Sequence, residues 1–112
     1  MALTKRKSVR GSKTGRPIMV LLDLIGRRWT LRIIWELRDG KPMTSRALRE
    51  KCDDISPSVL QARVTELREA GFVGLDTPGG YFLTPLGLEL REHTGGLYMF
   101  AEKWAKTVRS GI

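Results

Sequence analysis

The chain contains a single cysteine, Cys52, and a single histidine, His93. One thiol excludes an internal disulfide, and without a Cys/His cluster at ligand spacing there is no zinc site to build. No apolar run approaches the ~20 residues needed to span a bilayer, so no membrane partner is expected. The N-terminal cations are not followed by the apolar stretch of a signal peptide, and a cytoplasmic protein follows. Paired carboxylates, a nucleophile with its base and a phosphate-binding glycine loop are all missing. An enzyme therefore has no residues to stand on, and no cofactor is expected.

Acidic residues are missing from one region entirely. The 112 residues carry 20 Lys plus Arg against 12 Asp plus Glu, a net charge of +8. Residues 1–16 hold Lys5, Arg6, Lys7, Arg10, Lys13 and Arg16 and no acid, so residues 17–112 carry 14 cations against 12 acids. This gives two parts: a disordered basic arm over 1–16, with too few apolar residues to order itself, and one folded domain over 17–112. The arm suits the phosphates or minor groove of a nucleic acid. A solvated tail that aids solubility has the same composition.

The most specific stretch runs from Ile55 to Gly87. Ser56 is an N-cap, and Pro57 stands at the first helical position, where a missing N–H costs nothing. Ile55 and Leu60 can close a hydrophobic staple. Gly71 suits the left-handed residue of a Schellman stop, with Leu67 and Phe72 as its apolar pair. A helix from Ser56 to Ala70 spans roughly 22 Å, enough to cross a DNA major groove.

Leu60, Val64 and Leu67 form the inward stripe of that helix. Ser58, Gln61, Ala62 and Thr65 fall on another face and are small or polar, as a helix approaching base edges requires. Arg63 and Arg68 flank it within reach of phosphates. An ordinary amphipathic helix shows the same pattern, so the helix alone does not decide. Val73–Leu75 and Tyr81–Leu83 then predict a hairpin around Asp76–Gly80, with Pro78 and Gly79 central to a type II turn. Thr84 and Pro85 repeat the capped opening, and Leu83 with Leu88 the staple. Helix, glycine stop, hairpin and capped helix is the order of a winged helix-turn-helix.

Elsewhere, Ile18–Ile25 reads as a short, nearly all-apolar helix interrupted by Gly26. Arg28–Arg38 reads as a second helix, with Trp29, Ile33, Ile34 and Leu37 inward. Met43 can add a short strand to the hairpin. Thr44 or Ser45 caps a third helix to Cys52, with Ala47 and Leu48 inward, and Asp53 and Asp54 turn the chain into Ser56. From Pro85 the chain is helical, with a kink or break expected at Gly95–Gly96. Beyond it Leu97, Phe100, Ala101, Trp104 and Val108 form one apolar stripe. A second copy of the chain is the expected cover, its own first helix the alternative.

These residues resemble a known family. Leu22-Asp23-Leu24-Ile25-Gly26, Arg28-Trp29-Thr30, Glu36-Leu37 and Asp39-Gly40 look like the opening of HxlR-type transcriptional regulators. Ile55-Ser56-Pro57, Val59-Leu60, Arg63, Glu66-Leu67, Gly71-Phe72-Val73 and Leu83-Thr84-Pro85-Leu86-Gly87 resemble the remainder, over about residues 17–105. The resemblance implies a mainly α fold with a small β-hairpin (α+β), a winged helix-turn-helix of the MarR-like group. It implies dimerisation through the first and last helices, two-fold symmetric operators, the Ser56 helix as groove reader and the Asp76–Gly80 hairpin as wing. The chain departs from the family pattern in three places. Gly15-Arg16-Pro17-Ile18 lacks the cysteine that members commonly carry before the first helix. Met43-Thr44 replaces the usual Arg-Phe. The wing loop has no Lys or Arg.

The candidate double-stranded DNA contacts are therefore Ser56, Ser58, Gln61, Ala62, Arg63, Thr65 and Arg68, with Thr44, Ser45 and Arg46 at the opening of the preceding helix. Gln61 suits the edge of an adenine, and Arg63 suits either a phosphate or a salt bridge to Glu66 or Glu69. Arg28, with Arg27 and Arg32, is placed to grip a phosphate at the start of the second helix. The homodimer candidates are Ile18, Leu21, Leu22, Leu97, Phe100, Ala101, Trp104 and Val108. Cys52 is opposed as a reactive thiol by Asp53 and Asp54, and His93 reads as a surface residue. Two other functions stay open. The Gln61 face can dock a protein instead of DNA, or an unknown small-molecule effector can lie between dimer helices near Phe100 and Trp104.

Overall fold

The computed structural model describes residues 15–111. The arm residues Lys5, Arg6, Lys7, Arg10 and Lys13 lie outside that range. Among the described residues there are six helices and one hairpin: α1 (Pro17–Ile25), α2 (Thr30–Glu36), α3 (Ser45–Lys51), α4 (Pro57–Glu69), β1 (Val73–Asp76), β2 (Gly80–Leu83), α5 (Pro85–Thr94) and α6 (Gly96–Arg109). The strands pair antiparallel, Val73 opposite Leu83 and Asp76 opposite Gly80. Met43 adds a single bridge to Tyr81. This is the expected α+β winged helix fold.

The caps follow local chemistry. Thr44, Ser56 and Thr84 each accept the amide three residues on, Ala47, Val59 and Gly87, and Pro57 and Pro85 open their helices. At the far end of α4, Gly71 takes φ 89°, Phe72 N–H donates to the Leu67 carbonyl and Gly71 N–H to that of Arg68, both at 3.0 Å. These two bonds are the Schellman pair. The core is then filled from every element that flanks α4. Ile33, Ile34 and Leu37, Leu48, Leu60, Val64 and Leu67, and Val73 and Leu83 form one buried cluster, each side chain contributing roughly 1.5–3 kcal/mol of transfer free energy.

Two expectations need correction. Helix α2 starts at Thr30, not Arg28, because Trp29 is left-handed at φ 78°, and it ends at Glu36 with Leu37 as its cap. That reversal carries the chain out of the α1 turn and places Thr30 at zero exposure. The wing is not the expected type II turn. The Thr77–Pro78 bond is cis, and the positive φ falls on Gly80, at 116°, instead of Gly79. A Cβ on Gly80 would collide with the Met43 carbonyl, so the close approach of the bridge residue Met43 also requires glycine there. Leu21 of α1 is half-buried against the core. The break before α6 is a single residue, Gly95, with helical dihedrals.

Candidate nucleic-acid interface

Helices α3 and α4 form the helix-turn-helix. Asp53 and Asp54 turn the chain between them, both left-handed at φ 56° and 58°. Aspartate tolerates that conformation because its short side chain bonds locally. Arg49 locks the turn from within. Its carbonyl accepts from Asp54 N–H and its Nε donates to the Ile55 carbonyl, each at 2.8 Å. Cys52, at the end of α3, is fully buried, and burial pushes its thiol up to about 11. This thiol is therefore withdrawn from thiolate chemistry.

The outward face of α4 carries Ser58, Gln61, Ala62, Thr65 and Arg68, all exposed, while Leu60, Val64 and Leu67 point inward. Gln61 Nε2 donates to Thr65 Oγ1 at 3.2 Å, so two of the candidate base contacts are already arranged against each other one turn apart. Ser56 is occupied by its cap, with the Ser58 hydroxyl at 3.5 Å from its own. Thr44, Ser45 and Arg46 lie exposed at the start of α3. A shallow groove between α4 and β1 is lined by Thr65, Arg68, Glu69, Val73 and Gly74.

The basic residues divide into two groups. Arg28 is exposed and stacks its guanidinium 5.7 Å from the Trp29 ring centroid, and Arg46 and Arg68 are exposed as well. Arg27, Arg32 and Arg63 are ion-paired within the chain. Arg32 donates to Glu36 Oε2 at 2.9 Å, to Asp53 at 3.3 Å and to the Lys51 carbonyl. Its Glu36 hydrogen bond is the main cause that raises its already high pKa. Arg27 donates to Glu66 Oε2 in the middle of α4, and Arg63 Nη1 reaches the other Glu66 oxygen at 3.3 Å. Of the two roles expected for Arg63, the structure places it in the salt bridge with Glu66. Of the three arginines expected at a phosphate, Arg27 and Arg32 are ion-paired and Arg28 is exposed. Arg16 stands at the N-cap of α1. The Arg27–Glu66 tie was not foreseen, since its partners stand 39 residues apart and each has nearer candidates in the sequence.

The apolar stripe on α6 is left uncovered. Leu97, Phe100, Trp104 and Val108 are 49–62% exposed, Ala101 is exposed, and no residue of the helix is buried. Ile18 and Leu22 of α1 are likewise exposed. Among the described residues no helix is long and apolar enough to cross a membrane.

Comparison with known proteins agrees with this geometry. The profile of the HxlR-like helix-turn-helix family matches residues 24–109. A structure described as a possible HxlR family transcriptional factor from Thermoplasma volcanium is similar at TM-score 0.71 and 25% identity, over 77% of this chain and 82% of that one. The quinone-bound YodB from B. subtilis is similar at TM-score 0.70 and 27% identity, over 79% and 97%. A regulator of the MarR family from Enterococcus faecalis shares the fold at TM-score 0.67 and 24% identity, over 93% and 99%. No curated protein matches the chain. With a family profile over most of its length and a winged helix to match, the chain belongs to the HxlR-like helix-turn-helix family of DNA-binding transcriptional regulators, which are not enzymes.

Proposed function

We propose that the chain regulates transcription as a homodimer bound to a two-fold symmetric operator. The observation that carries this reading is α6, a fourteen-residue helix with no buried residue whose apolar stripe faces water. Leaving that stripe in water forfeits about 25 cal/mol for each Å² that a partner would cover. A symmetric contact with a second copy covers it at both ends of the interface at once. Ile18 and Leu22 of α1 extend the apolar surface. In such a dimer the two α4 helices enter successive major grooves about 34–36 Å apart. Ser58, Gln61, Ala62 and Thr65 face the bases. Arg28, Arg46, Arg68 and the start of α3 face phosphates, and the basic arm supplies the cations that the wing loop lacks.

Sedimentation and gel-shift measurements test this. Wild type should sediment as a dimer and shift duplex DNA at low salt, and Trp104→Glu should shift the protein towards monomer and weaken binding. A wild-type protein that is monomeric at micromolar concentration and shifts no duplex refutes the reading.

A second reading adds an effector between the dimer helices. It is favoured by the similarity to a quinone-bound structure and by the exposed aromatic pair Phe100 and Trp104. Sensing through Cys52 is no part of it, because that thiol is buried. Thermal shift against a panel of aromatic metabolites tests it, and a flat response counts against it.

A further inference from the structure

Arg27 is the residue at which three helices meet. Its amide donates to the Leu24 carbonyl of α1 at 3.3 Å, and its carbonyl accepts from Thr30, the first residue of α2, at 3.2 Å. Its side chain leaves this corner and donates to Glu66 of α4. The backbone thus belongs to the α1–α2 junction and the guanidinium to the reading helix. The pair is largely withdrawn from water, at 20% and 24% exposure. That distinguishes it from an exposed ion pair, which is screened and holds little in place. A partly desolvated, charge-assisted hydrogen bond is both stronger and more demanding of geometry.

Glu66 lies off the inward stripe of α4. Leu60, Val64 and Leu67 hold the helix down by burial, but the hydrophobic effect is non-directional and resists lifting more than rolling. A lateral hydrogen bond to a rigid corner resists rolling. The roll of α4 decides where Gln61 and Thr65 point. Helix α1, from which the corner springs, also carries the exposed Ile18 and Leu22.

We propose that Arg27 is a positioning residue for DNA recognition: acting through Glu66, it fixes the angle of α4 against α1 and so registers the two reading helices of a dimer on the spacing of their operator. This rests on the dimer reading above. In this role Arg27 directs its guanidinium to Glu66 and not to a phosphate.

The test uses the full chain. A two-fold site is selected from random duplexes with wild type. Affinity is then measured for that site, for the same site with one base pair added between halves, and for a random duplex. The variants are Arg27→Met, which keeps the aliphatic stem, Arg27→Lys and Glu66→Gln. Arg27→Met should bind the selected site about tenfold more weakly, the equivalent of one misdirected base contact. It should also lose most of the penalty for altered spacing, with random-duplex affinity and salt slope unchanged. Arg27→Lys should recover most of the loss. An equal loss on every duplex with a salt slope lower by about one would make Arg27 a phosphate contact and overturn the proposal. An equal loss with an unchanged slope and a lower unfolding midpoint would make it merely structural, also overturning it. If Arg27→Met does not fold, Glu66→Gln carries the comparison from the other partner, with Arg63→Met, which removes only the second ion pair of Glu66, as its control. A wild type that selects no two-fold site overturns the dimer reading together with this one. A two-fold site whose spacing penalty survives in the variants overturns this one alone.

Discussion

Tyr98 donates its hydroxyl to the backbone carbonyl of Leu31 at 2.8 Å, joining α6 to α2 across 67 residues. Its ring lies against Trp35, with centroids 4.5 Å apart, and Arg38 stacks 4.2 Å from the Trp35 ring centroid. On a helix with no buried residue, this half-buried tyrosine is the fixed point. Burial, the largest cause, raises its ionisation above the usual value of 10.0. Removing the hydroxyl in Tyr98→Phe should cost about 1 kcal/mol. Tyr98→Ala, which also removes the ring contact, should cost about 2–3 kcal/mol. Urea unfolding measures both, and hydrogen exchange should show α6 loosened selectively in the alanine variant.

The ends of α4 are set by single residues. Ser56→Ala removes the acceptor for Val59 N–H and should cost about 1 kcal/mol. Gly71→Ala forces a Cβ onto a residue at φ 89° and should cost about 1–2 kcal/mol. Both losses appear in thermal or urea unfolding. Because the caps lie at the two ends of α4, each variant should also exchange α4 amides faster than those of α2. Uniform acceleration across the domain would count against a local role.

These two positions also show what the sequence makes legible. Ser56 and Gly71 act on amides and carbonyls within five residues, so their roles can be read from order alone. Gly80 could not be read in that way. A side chain there is barred by Met43, a residue far earlier in the chain that bridges to Tyr81. The arginines divide for the same reason. Arg28 stays exposed beside Trp29, whereas Arg27 is taken up by Glu66, a partner brought near only by tertiary packing, and Arg32 by Glu36 one turn on and by the more distant Asp53. Charge shows which residues can grip a phosphate, and tertiary contacts decide which of them are already engaged.

The reading face and the basic arm should separate in DNA binding. Gln61→Ala removes the one side chain on that face that can bridge an adenine edge. It should reduce discrimination at one base pair of each half-site by about 1–3 kcal/mol and leave random-duplex affinity unchanged. Deleting residues 1–16 should weaken all duplexes alike and lower the dependence of log affinity on log salt, by about 0.9 for each phosphate that the arm neutralises. Fluorescence anisotropy at three salt concentrations on matched and mismatched sites distinguishes them. Loss of sequence preference on deleting the arm would instead make it a base reader.

Cys52 should make stability fall in alkali. Burial is the main cause that raises its thiol from 9.0 to about 11, with Arg32 pulling the other way. A raised native value means that the unfolded chain gives up its proton first. The contribution is therefore fully present below pH 9 and is lost as pH rises through about 11, on the order of 1–2 kcal/mol. Urea unfolding at pH 8, 9, 10 and 10.5 should show this decline, and Cys52→Ala should be less stable at pH 8 but decline less steeply above pH 9. At pH 8 an aromatic disulfide reagent should modify the native protein slowly and the urea-unfolded protein at the rate of a free thiol. Rapid modification of the native protein would mean that the thiol is neither buried nor held neutral, and would reopen α3 as a place where oxidants act.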